Sequence, residues 1–225
     1  MKIKLLGKNL DELKKLVADE GLPGFTAKQI AQWIYVKKVR MIEEMTNLSK
    51  AARTALAEKY EVGVIPYGGL QISSDGTKKY LFPVRCSHRR GLNISCNGSR
   101  DAGELEDGAV EAVMIPDDDR ATLCVSSQSG CRMGCKFCMT GRQGFHGHLS
   151  AAEIISQFIA VDESDRLTNA VFMGMGEPLD NYENVMRAIE ILTADWGFAW
   201  SPKRITVSTI GVLPNLKRYL DEGRC

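Results

Sequence analysis

The chain has 225 residues, 44% of them hydrophobic and 25% charged, the values of a globular protein rather than a disordered one. Mean hydropathy is −0.17, no apolar run approaches the roughly 20 residues of a membrane span, and the N-terminal apolar stretch is too short for a signal peptide; a cytoplasmic chain with no membrane contact is expected. The net charge of +1 is unevenly spread: residues 1–60 hold 12 Lys and Arg against 7 Asp and Glu, residues 61–120 hold 7 against 10, and residues 121–225 hold 10 against 11, so any polyanion contact would start at the N-terminal segment, although a solvated helical surface explains the same excess equally well.

Residues 1–62 read as a small helical domain. Leu10, Leu13, Leu16 and Val17 follow helical spacing over 9–20, and Gly21 and Pro23 stop that helix. Thr26 is the expected N-cap of a second helix with Ile30, Trp33 and Ile34 on one face. Ser49 caps a third, KAARTALAEKY. Three short helices bury little surface alone and are expected to lean on the neighbouring domain.

Residues 63–119 form a connecting segment. Two alternating runs around Asp75-Gly76 predict a hairpin. Residues 85–108 are polar and rich in turn formers, an expected irregular loop. VEAVMIP then reads as a strand, PDDDR as a turn and ATLCVSS as a second strand.

From residue 120 onward strands and helices alternate. Ser150 with Glu153 is a capping box opening a helix. NAVFMGMG is a strand ending in glycines, ENVMRAIEILTADWG a helix, RITVST a strand and PNLKRYLDEG a helix. This α/β alternation predicts a parallel sheet. The methionines of MGMG and the residues Trp33, Trp196 and Trp200 read as packing. Arg142 either meets a phosphate or faces solvent.

The chemistry concentrates in one loop. Of seven cysteines, Cys124, Cys131, Cys135 and Cys138 fall within fifteen residues, and a tight cluster in a reducing compartment points to a metal or to catalysis rather than disulfides. Cys131, Cys135 and Cys138 form C-x3-C-x2-C. With His146 or His148 they would make a Cys3His zinc site. Alternatively, three thiolates hold a [4Fe–4S] cluster with one iron left open for substrate or cofactor. Cys124, alone, is either a reactive thiol at a strand end or a small buried hydrophobe; Glu111, alone, would be one solvated strand residue.

With an aromatic residue, Phe137, before its last cysteine, this loop resembles the signature of radical S-adenosylmethionine (SAM) enzymes. The wider text, CVSSQSGCRMGCKFCMTGRQGF, MGMGEPLDNYENV, RITVSTIGVLP, QIAQWIY and GTKKYLF, resembles the RlmN family of dual-specificity RNA methyltransferases, over nearly the whole chain except residues 85–108. The resemblance implies a partial (β/α) radical-SAM barrel behind a small helical domain and a β-hairpin, with residues 120–225 supplying the N-terminal half of the barrel. It implies methylation of C2 of adenosine in 23S rRNA and in some tRNAs, through a [4Fe–4S] cluster, S-adenosyl-L-methionine and a methyl-cysteine intermediate. An electron donor such as flavodoxin and a monomeric state follow from it.

By resemblance, Cys131, Cys135 and Cys138 are the cluster ligands. Gly176 and Glu177 hold the methionyl amine, and Ser208 makes a further cofactor contact. Glu111 is the proton acceptor and Cys124 the resolving cysteine. The family runs on past residue 225 into further barrel strands and the methyl-carrying cysteine, so the chain reads as C-terminally truncated and Cys225 is not that cysteine. The alternatives are the related adenine-C8 rRNA methyltransferase of the antibiotic-resistance type, an inactive fragment, and a zinc-binding RNA module.

Overall fold

The structure, a computed structural model, describes residues 2–85 and 107–223. Cys86, Cys96 and Cys225 lie outside them. So does the expected irregular loop 85–108, except for its ends, which belong to strands.

The N-terminal region is tied together by a contact between its ends. Strand β1 (Ile3–Lys4) runs parallel to β2 (Tyr60–Glu61), and the Leu5 and Leu6 N–H groups continue the ladder to Glu61 and Val62. Between them, α1 (Leu10–Asp19) starts at Asn9, whose side chain accepts from the Glu12 N–H while Glu12 reaches back to the Asn9 N–H, a reciprocal cap that satisfies two otherwise orphan donors.

Thr26 is not the cap of the second helix. Helix α2 (Thr26–Ala31) has its cap position one residue earlier, at Phe25, with no side-chain cap, and Thr26 is buried as its first residue. Packing has displaced capping there. The helix then widens into a π turn over Gln32–Val36, with the Lys37 N–H bonded to the Gln32 carbonyl; such turns re-aim side chains within an otherwise regular helix. Helix α3 (Lys50–Lys59) is capped by Ser49 as expected.

This small domain leans on the larger one, as its size predicts. Tyr35 packs on Trp196 at 5.8 Å between ring centres. Lys38 bonds the Ser164 carbonyl and the Asp165 carboxylate at 2.7 and 2.8 Å, and Arg187 pairs with Glu12.

Six strands make one mixed sheet. β3 (Gly69–Ile72) and β4 (Lys78–Arg85) form the expected hairpin, β5 (Asp107–Asp117) pairs antiparallel to β4, and β6 (Arg120–Cys124) antiparallel to β5. After β6 come a short strand β7 (Gln128–Gly130), helix α4 (Met139–Arg142) and strand β8 (Phe145–His148), with β7 and β8 forming a separate hairpin. Helix α5 (Ala151–Ala160) leads to β9 (Asn169–Phe172), parallel to β6; α6 (Tyr182–Thr193) leads to β10 (Ile205–Val207), parallel to β9; α7 (Leu213–Asp221) comes last. The order across the sheet is β10-β9-β6-β5-β4-β3. The hairpin segment and the βα units therefore share one sheet.

The sheet's two faces differ, because strand side chains alternate. Tyr80, Phe82, Val110, Ala112, Leu123, Val125, Ala170, Phe172 and Ile205 are buried in one core with Ile154, Ile155 and Phe158 of α5 and Val185, Ile189 and Leu192 of α6. The residues between them, Lys79, Glu111, Val113, Thr122, Cys124, Asn169 and Val171, are only half-buried. Helices cover one face and leave the other open, which is the arrangement of a barrel wall and its interior.

Candidate functional site

The open face gathers residues that are far apart in sequence. Cys124, the last residue of β6, pairs in register with Val113 on one side and Val171 on the other. Glu111 lies two residues from Val113 on the same face of β5, so it is a diagonal neighbour of Cys124, about 7–8 Å away by ideal sheet geometry. Its carboxylate is 3.2 Å from the Lys79 ammonium on β4. The Ser126 hydroxyl, just beyond β6, donates to the Glu111 carbonyl at 2.6 Å and accepts from the Met175 N–H at 2.9 Å. Ser208 is exposed just past the end of β10.

Met173 corrects the sequence reading of MGMG as packing. It is 62% exposed, on the open face beyond β9, whereas Met175 is partly buried against the core. The MGMG glycines are needed because backbone passes close by: a Cβ on Gly174 would lie 2.6 Å from the Val125 carbonyl oxygen, and one on Gly176, at φ +98°, 2.5 Å from Gln128 Cβ.

The three-cysteine loop hangs at the carboxyl end of β6, closed by the β7–β8 hairpin. The Cys131 N–H bonds the Gly144 carbonyl at 2.8 Å, and the Cys138 N–H bonds the Cys135 carbonyl at 3.1 Å. All three thiols are free and half-exposed. Burial pushes the Cys131 thiol up, against a backbone hydrogen bond at Met133, and Cys135, Cys138 and Glu177 add to the rise. Phe137 is 93% exposed at the tip, and Arg142 donates to the Lys136 carbonyl across the loop.

Neither histidine completes a zinc site with these thiols. His146 Nε2 is 3.1 Å from the Gln143 carbonyl, and His148 lies between Gln128 and Arg132. Among the described residues no three His, Cys, Asp or Glu side chains are placed to hold one metal ion. A four-iron cube is met by thiols set wider apart than the ligands of a single ion, and the donor set, three accessible thiols on one loop with no fourth, suits it.

Glu177 is 4% exposed. Its carboxylate accepts from the Thr209 hydroxyl at 2.5 Å and from the Leu179 and Ile210 N–H groups at 3.1 Å. It ties the turn after β9 to the turn after β10, so a burial that would otherwise be costly is compensated. Cys124 is also pushed up by burial, opposed by a backbone hydrogen bond from Met173; its thiol rests protonated.

Several polar residues around the site escaped the sequence reading. The Gln157 side chain, fully buried on α5, accepts from the Ser126 N–H and donates to its carbonyl, both at 2.9 Å. Asn181 donates to the Ser127 and Leu149 carbonyls at 2.8 and 2.7 Å. Gln128 joins Glu177, Asp180 and His148. Their one sequence signal is the polar run SSQS directly continuing the apolar strand ATLCV.

An open-faced mixed sheet with parallel strands β6, β9 and β10 and a three-cysteine loop after β6 suits a radical SAM domain, and residues 125–223 match the model of the radical SAM superfamily. Residues 3–62 match the model of the ribosomal RNA large subunit methyltransferase N-terminal domain. The chain is 53% identical over its whole length to a probable dual-specificity RNA methyltransferase RlmN of Porphyromonas gingivalis, of which it spans 58%. It is 52% identical to the similarly named protein of Bacteroides thetaiotaomicron, spanning 59%, and 42% identical to the dual-specificity RNA methyltransferase RlmN of Geotalea uraniireducens, spanning 57%. The crystal structure of a radical SAM methyltransferase from Sphaerobacter thermophilus superposes with a TM-score of 0.79 at 34% identity, over 96% of this chain and 60% of that one. Along its whole length the chain is similar to these RlmN proteins. It spans a little under six tenths of the length of the curated relatives it matches.

Proposed function

We propose that the chain acts as, or as part of, a radical SAM methyltransferase that methylates C2 of adenosine in 23S rRNA and in some tRNAs. The observation that carries this is the juxtaposition of three free thiols on one hairpin-closed loop with the open face of the sheet that bears Glu111 and Cys124. Cys131, Cys135 and Cys138 would hold a [4Fe–4S] cluster, which supplies the electron for reductive cleavage of S-adenosyl-L-methionine.

This chain's own residues do the rest. Gly176 lets the backbone approach closely. Glu177 sets negative charge beside the thiol loop, where the methionyl amine would sit, and Ser208 offers a hydroxyl at the end of the next strand. Glu111 is the acceptor for the proton that leaves adenine C2, kept on the open face by Lys79. Cys124, its diagonal neighbour across the ladder, is the resolving thiol, and its protonated resting state keeps it from reacting early. The helices on the far face exclude water from that side of the sheet.

RNA is the partner that residues 1–62 suit by charge. A groove of about 470 Å³ in this region is lined by Lys2, Lys50 and Arg53 together with Glu43, Glu58, Thr54 and Ala57. A flavodoxin-like electron donor, a monomeric state and a cytoplasmic location complete the reading; no helix among the described residues is long and apolar enough to cross a membrane.

The test is anaerobic reconstitution with iron and sulfide. The parent chain should show a cluster EPR signal after reduction, and Cys131→Ala, Cys135→Ala and Cys138→Ala should each lose the iron. Full iron content in all three variants would overturn the assignment.

A further inference from the structure

Gln128 has no part in the chemistry assigned to its neighbours, yet it is fully buried, three positions before the first cluster cysteine, and every polar atom of its side chain is used. The Glu177 N–H can only donate and the Asp180 carboxylate accepts, which fixes the amide orientation without ambiguity. Oε1 accepts from the Glu177 N–H at 2.8 Å, and Nε2 donates to Asp180 Oδ2 at 2.7 Å and faces His148 Nδ1 at 3.0 Å. Gly176 backs directly on Gln128 Cβ, with no room for a side chain of its own. Asp180 is gripped a second time by Arg132, at 2.9 Å, and Arg132 directly follows Cys131 and lies over the Phe145 ring of β8.

We propose that Gln128 is the positioning residue that joins the cysteine loop to the turn after β9, setting the place of Gly176 and Glu177 relative to Cys131. The proposal rests on the reading of that turn as the S-adenosyl-L-methionine site. The bridge is made of fixed parts. β7, carrying Gln128, is clamped to β8; the turn 174–180 has its Glu177 N–H and Asp180 carboxylate bound to the one amide. The Ser127 and Gln128 N–H groups anchor the start of the turn at the Met175 carbonyl, so moving the amide shifts Glu177 and Asp180 against the thiols while that anchor, the sheet and its core stay in place.

The experiment exploits shape. Gln128→Glu keeps the size and the acceptor for the Glu177 N–H but sets a carboxylate oxygen against the Asp180 carboxylate. Adding Asp180→Asn supplies an amide donor in the opposite direction and closes the bridge again. Two readouts are taken: amide hydrogen exchange over 175–180 in the cofactor-free chain, and S-adenosyl-L-methionine affinity by equilibrium dialysis of the reconstituted chain, with iron measured on each sample. Losing a buried hydrogen bond corresponds to about tenfold. Gln128→Glu should therefore speed exchange in that segment and weaken affinity by about that factor, with iron content and exchange in α6 equal to the parent's. The double variant should return to within roughly threefold of the parent on both, as coupled neighbours do. A general loss of structure would move α6 as well and would not be rescued. Unchanged exchange and affinity in Gln128→Glu, or no recovery in the double variant, would overturn the proposal. If the exchange pattern and its rescue appear but even the parent binds no S-adenosyl-L-methionine, the bridge stands and the reading of the turn as that site falls.

Discussion

Two glycines of the cysteine loop share a backbone conformation and differ only in the space around them. Gly130 has φ +71° and Gly134 φ +64°, so Ala at either position costs about 1–2 kcal/mol for the left-handed conformation. A Cβ at Gly134 meets nothing within 4 Å, whereas one at Gly130 would sit 1.9 Å from the Gly144 carbonyl oxygen. That oxygen also accepts the Cys131 N–H that closes the loop. Gly130→Ala must push this backbone away, adding about 1–3 kcal/mol of overpacking and about 1 kcal/mol for the lost hydrogen bond. The totals are about 1–2 kcal/mol for Gly134→Ala and roughly 3–6 kcal/mol for Gly130→Ala, the latter a large part of a domain's usual ~5–15 kcal/mol. With a slope of about 2–3 kcal/mol per molar urea, the midpoints should fall by roughly 0.3–1 M and roughly 1–3 M respectively. The assay is urea unfolding of the cofactor-free chain monitored by circular dichroism. Equal shifts for the two variants would show that the β7–β8 closure does not constrain the loop.

Asn181→Leu removes the side-chain donor to the Leu149 carbonyl and one of the two donors to the Ser127 carbonyl, which keeps the Leu149 N–H, and should cost about 1–3 kcal/mol in the same assay, the cost of one orphaned buried group; a loss under about 0.5 kcal/mol would contradict the burial assigned to it. Burial holds the His148 imidazole below its ordinary 6.5, outweighing Asp180. The unfolded chain then binds the proton first as pH falls, so this residue's contribution to stability is present above about 6.5, drops below it, and levels once the folded ring also protonates. His148→Gln should flatten that limb of the stability–pH curve; an unaltered slope would remove the assignment. Cys124 is held above the ordinary thiol value of 9.0, so its alkylation by iodoacetamide, measured by mass spectrometry, should still accelerate above pH 9, and a plateau below that pH would refute its burial.

Much of the local structure is legible in the sequence. The Ser150–Glu153 box, the Ser49 cap and the Asp75-Gly76 turn are short-range devices whose partners lie within four residues, so sequence alone specifies them. The cysteine spacing likewise declares one loop with three thiols and no fourth. Thr26 departs from its expected role because the helix begins one residue earlier than its hydroxyl could cap, with Phe25 at the cap position and Thr26 buried as the first helical residue. Met173 departs from its own because apolar character does not tell which face of a sheet a strand end will show. What the tertiary structure alone decides is register: the ladder that sets Val113 opposite Cys124 brings Glu111 and Cys124 to one open face across an antiparallel pair. It also decides the buried amides of Gln128, Gln157 and Asn181, which reach partners 20 to 54 residues away. Nothing local marks such a residue, because a polar side chain is buried only where distant backbone groups converge to satisfy it.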